Sequence, residues 1–143
     1  PEPNSRPDIL SFVSEPLAED VTLNGRVAFR LHVRTDGEDT AFFARLTVLR
    51  NGRYLPVQES IATLRRENPG YAPGDEAVVT MTSDPASWRF FRGERLRVDV
   101  ASACWPIYAA HGNTAGDVAC QTETRAALNT VITGLSCVTL SLN

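Results

Sequence analysis

Apolar and polar residues alternate along much of this chain. Residues 26–34 show it most clearly. Val27, Phe29, Leu31 and Val33 alternate with Arg26, Ala28, Arg30, His32 and Arg34. A period of two places successive side chains on opposite faces of a strand. Phe42, Ala44, Leu46 and Val48 repeat the pattern, and Asn51-Gly52 follows. That dipeptide predicts a tight hairpin, because both central positions of a type I′ turn need positive φ. A return strand is expected over residues 53–57. Pro56 cannot donate to a ladder, so this strand should lie at an edge or end there. Pro69-Gly70 and Pro73-Gly74 mark a loop before a strand over 77–82, and Asp84-Pro85 breaks the chain again. Trp88, Phe90 and Phe91 form the densest aromatic cluster, with Trp88 or Phe90 expected in the core. Leu96, Val98 and Val100 should face inward, and Arg95, Arg97 and Asp99 outward. Residues 106–116 read as a long loop. Residues 124–131 fit a strand or a short helix. Residues 137–142 close the pattern, with Val138, Leu140 and Leu142 on one face.

No sustained helical period appears. Many short strands separated by turn signals predict an all-β sandwich or barrel, and about eight strands with long crossings favour a jelly-roll β-sandwich. Residues 1–8, with proline at 1, 3 and 7, are expected to form a polar tail or linker. Residues 9–143 should then be a single domain. The length of 143 residues suits one domain with a core and is short for two. An apolar fraction of 43% and a charged fraction of 22% exclude a disordered chain, a collagen and a coiled coil. No apolar run approaches the roughly 18 residues of a membrane helix, and the polar start is not a signal peptide. The first residue is not Met, which suggests a processed or excised chain.

Seventeen acidic and fourteen basic residues give a net charge of −3, without the basic field that nucleic acid demands. All fourteen cations are arginine. A GC-rich genome accounts for that, as does the suitability of the guanidinium fork for paired contacts. The cysteines Cys104, Cys120 and Cys137 are odd in number, and none forms C-x-x-C, so no zinc site is expected. Their spacing allows a disulfide across neighbouring strands. Buried thiols acting as small hydrophobes are the simpler expectation.

Candidate chemistry is sparse. His32 falls on the wet face of a strand between arginines and reads as solvated. His111 lies in the long loop, where function concentrates, although a surface residue is the plainer reading. The nucleophile elbow G-x-S-x-G is absent. Gly134-Leu135-Ser136-Cys137-Val138 supplies only its first half and reads as a turn into a strand. Asp36, Glu38 and Asp39 around Gly37 have the composition of a calcium loop or of a solvated turn. Trp105, Tyr108 and His111 could line a groove for a sugar or peptide, or pack in a core or interface. These residues supply no catalytic set, and no cofactor or metal is expected.

The order of several short motifs goes further. Arg6-Pro7-Asp8-Ile9-Leu10, Glu15-Pro16-Leu17 and Asp20-Val21-Thr22-Leu23-Asn24-Gly25 resemble R-P-D-V-L, E-P-L and D-V-x-V-x-G. These open the C-terminal domain of X-Pro dipeptidyl-peptidase-like serine hydrolases of the cocaine esterase and α-amino acid ester hydrolase type. Asp39-Thr40-Ala41-Phe42 resembles that family's D-T-D-F, and Tyr71-Ala72-Pro73-Gly74-Asp75 its Y-x-P-G-E. Residues 91–102 resemble F-x-P-G-H-R-L-R-V-x-V-x-S. Pro106 and Asn113-Thr114 fall where the family has F-P-R-x-D-R-N-x-N-T-G. The resemblance spans residues 6–143. It implies a galactose-binding-like jelly roll that carries no triad residue, since the Ser, Asp and His lie in an upstream α/β-hydrolase domain. It also implies packing on that domain, shaping of its site and support of oligomers. Trp105 replaces the family's Phe, D-R-N is missing, and residues 60–67 match the middle motif only in part.

The expected role is therefore a non-catalytic accessory domain. Its partner is an α/β-hydrolase catalytic domain, in the same chain or a separate one, or a further copy in a homo-oligomer. Neither nucleic acid nor membrane is expected; a soluble bacterial protein is, and the sequence does not choose between cytoplasm and periplasm. Trp105, Pro106, Ile107, Tyr108 and His111 are the candidate binding or interface residues. The alternative is a free-standing carbohydrate- or ligand-binding sandwich.

Overall fold

The computed structural model describes residues 2–143, so Pro1 of the predicted tail lies outside the described residues. Nine strands follow in order. They are β1 (Ile9–Val13), β2 (Val21–Thr35), β3 (Ala41–Arg50), β4 (Arg53–Thr63), β5 (Ala77–Thr82), β6 (Ala86–Phe90), β7 (Arg95–Ala101), β8 (Asn129–Val131) and β9 (Cys137–Leu142). One helical turn, α1 (Leu64–Glu67), follows β4, and a 3₁₀ turn spans Val118–Cys120. No helix among the described residues is long and apolar enough to cross a membrane.

All pairing is antiparallel. One sheet runs β1-β7-β3-β4. The other is built on β2, which pairs with β5, β6, β8 and β9. Residues 28–30 of β2 pair with β5 and β9 at once, and Leu23 pairs with both β6 and β9. Hence β5 and β6 share one side of β2, and β8 and β9 the other. This second sheet is three strands wide and faces a sheet of four. β4 packs across to β5, which closes that side of the sandwich.

The core lies where the predicted apolar faces meet. Val27, Phe29 and Val33 of β2 pack with Phe42, Leu46 and Val48 of β3 and with Phe90 of β6. Phe90 is fully buried and Trp88 packs partly buried against the same cluster. The hairpin after β3 turns through Asn51 and Gly52 at φ 51° and 72°, as the turn type requires.

Four expectations need correction. β4 does lie at an edge but runs on to Thr63: Leu46 pairs with Gln58 and Thr47 with Pro56, so Val57 is the extra residue of a bulge that carries the strand past the proline. Arg97 does not face water; it is 3% exposed beneath Tyr54 and β1. Of residues 124–131 only Asn129–Val131 is strand, because the chain there is held by side-chain bonds to other loops. The cysteines are all free, Cys120 and Cys137 are exposed, and Cys104 is half-buried, so none is a core hydrophobe.

Candidate functional site

At one end of the sandwich the loop over residues 102–128 returns over the turn between β2 and β3. Asp39 in that turn is buried. Its Oδ1 accepts the backbone N–H of Thr40 at 2.9 Å and of Arg65 at 2.8 Å. Its Oδ2 lies 3.2 Å from His111 Nε2. His111 Nδ1 accepts the N–H of Asn113 at 2.9 Å. Asn113 sits at φ 58°, a conformation Asn tolerates better than most residues. Its Oδ1 accepts from the Thr40 hydroxyl at 2.8 Å and its Nδ2 donates to the Arg125 carbonyl at 2.8 Å. Asn129 donates to Ser102 Oγ at 2.6 Å and to Thr40 Oγ1 at 3.1 Å. Gln121 clasps the same loop, accepting from Gly112 N–H and donating to the Thr114 carbonyl, both at 2.7 Å. A Cβ on Gly112 would meet the Glu123 carbonyl at 2.3 Å, so only glycine fits there.

Nearby, the Tyr71 hydroxyl donates to the Thr35 carbonyl at 2.6 Å and accepts the Thr35 N–H at 3.1 Å. The Asp-Thr, Tyr-x-Pro-Gly and Asn-Thr motifs thus meet at one end of the fold, where they fix turns and loops. Asn129 and Ser102 belong to this cluster too. Ser102 closes the 91–102 motif, whereas Asn129 sits in no local pattern that marks it, and the long-range turn of the chain brings the two together.

The protonation of this cluster follows from its donors. Burial raises the Asp39 pKa, but the hydrogen bonds from His111, Arg65 and Thr40 outweigh it and hold the carboxyl below its ordinary value. An imidazole nitrogen that accepts an amide N–H carries no proton. His111 is therefore the neutral Nε2–H tautomer, donating to a carboxylate. This His–Asp pair has the outline of a catalytic dyad, but the second ring nitrogen meets a backbone N–H where a nucleophile would need to be. His111 is thus a buried fastening residue rather than a surface one. The solvated-turn reading holds for Asp36 and Glu38, which are exposed, and is corrected for Asp39, which is buried. Asp36 accepts from Leu128 N–H at 2.7 Å, Glu38 from Ala115 N–H at 3.3 Å, and Asp39 as above. The three acids hold three different stretches of chain, and no metal-binding group of His, Cys, Asp and Glu occurs among the described residues.

The other candidates sit differently. Trp105 is 76% exposed and Ile107 59% exposed, with Pro106 exposed between them after a cis peptide bond. Tyr108 is half-buried, its ring tilted against Phe43 at 5.8 Å between centroids. Burial and the carboxylate of Glu59 push its phenol pKa up, so it stays a neutral hydroxyl. Arg45 covers the same Phe43 ring, pairs with Glu59 at 2.7 Å and reaches Cys104 Sγ at 3.4 Å. Trp105, Tyr108 and His111 do not line one groove. Tyr108 and His111 border a cavity of about 430 Å³ beside β4, β5 and α1. Trp105 borders a separate cleft of about 730 Å³, shared with residues 6–10 and Leu128. His32 stays on the outer face, 2.7 Å from the Arg30 guanidinium. Ser136 accepts the His32 backbone N–H at 3.0 Å and donates to the Ile132 carbonyl, the role of a turn residue.

Fold and site together define a β-sandwich whose buried polar residues fasten loops and in which no described histidine is set against a nucleophile. The chain belongs to the family described as the X-Pro dipeptidyl-peptidase C-terminal non-catalytic domain, which matches residues 2–138. It is 33% identical over 122 residues to cocaine esterase of Rhodococcus sp. (strain MB1 Bresler), covering 81% of this chain and 21% of that protein. Among solved structures it resembles an α-amino acid ester hydrolase with a TM-score of 0.85 at 23% identity, over 98% of this chain and 26% of that one. An aminopeptidase from the archaeon Thaumarchaeota archaeon matches with a TM-score of 0.84 at 20% identity, again over 98% and 26%. The chain spans about a fifth to a quarter of the length of these relatives.

Proposed function

We propose that this domain serves a larger serine hydrolase of the peptidase or esterase type as its accessory part, packing on the catalytic portion and helping to shape its site. One observation carries the reading. The loop bearing Trp105 and Ile107 is fastened at several points by buried and half-buried hydrogen bonds, yet its two large apolar side chains stand in solvent. A loop held this firmly presents a preformed surface, and a projecting tryptophan beside an aliphatic residue is the composition of an interface anchor. Residues 6–10, which lead into β1, border the same cleft as Trp105. The chain therefore enters the domain beside its exposed apolar ridge. The catalytic role falls to the rest of the parent protein.

The test is Trp105→Ala in the full-length hydrolase and in the 143-residue chain. The full-length variant should lose activity or assembly, while the 143-residue chain keeps its thermal midpoint. Equal losses of stability in both would make Trp105 a packing residue and overturn the reading.

A further inference from the structure

A second surface follows from the strand count. The sheet β1-β7-β3-β4 is four strands wide and the sheet facing it only three. With β4 over β5 and strands about 4.8 Å apart, β1 overhangs the smaller sheet. Its pairing shows which side chains are affected. Leu10 pairs with Val100 and Phe12 with Val98, so both lie on the face that carries the core. Val100 is 3% exposed, whereas Leu10 is 41% and Phe12 39% exposed. Leu142 of β9 pairs with the buried Leu23 and is also exposed, on the same open side of the sandwich. Among the described residues β9 has β2 as its one strand partner.

Building on the accessory-domain reading, we infer that the underside of β1, centred on Leu10 and Phe12, is a docking surface covered by an apolar face of the hydrolase portion that precedes it in the same polypeptide. Two facts choose this occupant over a second copy. The family is a C-terminal domain, and about three quarters of the α-amino acid ester hydrolase chain lies outside the matched region. In addition, β1 is the first strand, so whatever precedes the domain is tethered directly to the overhang. A short tether raises the local concentration of that portion to the order of millimolar, far above the usual concentration of a second molecule. Leu10 also lines the cleft that holds Trp105, so the two surfaces are continuous around the end of β1.

Amide exchange tests the inference without mutation. Residues 9–13 should exchange at least tenfold more slowly in the full-length polypeptide than in the 143-residue chain. A companion variant, Phe12→Glu, should weaken domain docking in the full-length protein, read as faster proteolytic separation of the two portions. It should lower the thermal midpoint of the 143-residue chain much less. Equal exchange in both chains, with docking lost in Trp105→Ala but kept in Phe12→Glu, would overturn the overhang and leave the accessory reading standing. Docking insensitive to both variants would remove both. Slower exchange that disappears when full-length dimers are diluted to monomers would assign the surface to a second copy and overturn the inference.

Discussion

His111 Nε2 lies 3.2 Å from Asp39 Oδ2 across 72 residues of sequence, and both side chains are buried. The contact ties the 102–128 loop to the turn between β2 and β3. Because Nδ1 already accepts from Asn113, the imidazole can serve both partners only while neutral. The pair holds a conformation, with both ring nitrogens engaged inside the fold.

The two ring nitrogens of His111 can be tested separately. Asn places an acceptor near the Nδ1 position, so His111→Asn should keep the bond to Asn113 and lose the one to Asp39. His111→Ala loses both and leaves a buried carboxylate oxygen and a buried N–H short of partners. It should cost about 1–3 kcal/mol, with His111→Asn in between. Urea midpoints of the three proteins at neutral pH check the order.

Asp39 should make stability depend on acid. Its folded pKa is depressed, so its contribution is fully present above the unfolded value of about 4. The contribution fades as pH falls through the lower folded value. Asp39→Asn should remove that part of the acid limb. It should also cost about 1–3 kcal/mol at pH 7, because the new amide sets a donor against the His111 Nε2–H. Unfolding free energies measured from pH 7 down to pH 2 for both proteins would show the curves converging in acid. Parallel curves would mean that Asp39 does not titrate in this range.

Arg97 is the buried cation of the outer face. It pairs with Asp99 at 2.6 Å, reaches Ser11 Oγ at 3.1 Å and stacks on the Tyr54 ring at 4.5 Å. Removing Arg97 leaves the half-buried Asp99 carboxylate with the Ser11 hydroxyl as donor but without its cation. Arg97→Met should therefore cost about 1–3 kcal/mol, and the double variant with Asp99→Leu should recover part of it. A double-mutant cycle by denaturant unfolding gives the coupling. Additive effects would show that the two side chains act independently.

The sandwich itself was legible because a half-buried strand writes its two faces into alternate positions. The 77–82 and 137–142 strands coincide with the structure on that account, and the turn at Asn51-Gly52 does so because both residues take the positive φ the turn needs. Arg97 shows where the same rule stops. Alternation says which face a residue is on, but not whether Tyr54 and Ser11 will close over that face. Leu10 and Phe12 show the converse, as apolar residues on the inner face left exposed because the opposing sheet is a strand too narrow.

The chain alone therefore determined the all-β class, most strand positions and the family resemblance, since these rest on local periodicity and on short motifs kept in order. Tertiary structure decided what the motif residues do. Asp39 and Thr40 lie more than 70 residues from the His111–Asn113 stretch, and Thr35 lies 36 from Tyr71; these partners meet only when β2, β3 and the returning loop converge. Hydrogen-bond partners across such distances depend on where the backbone brings them, and no spacing along the chain records that.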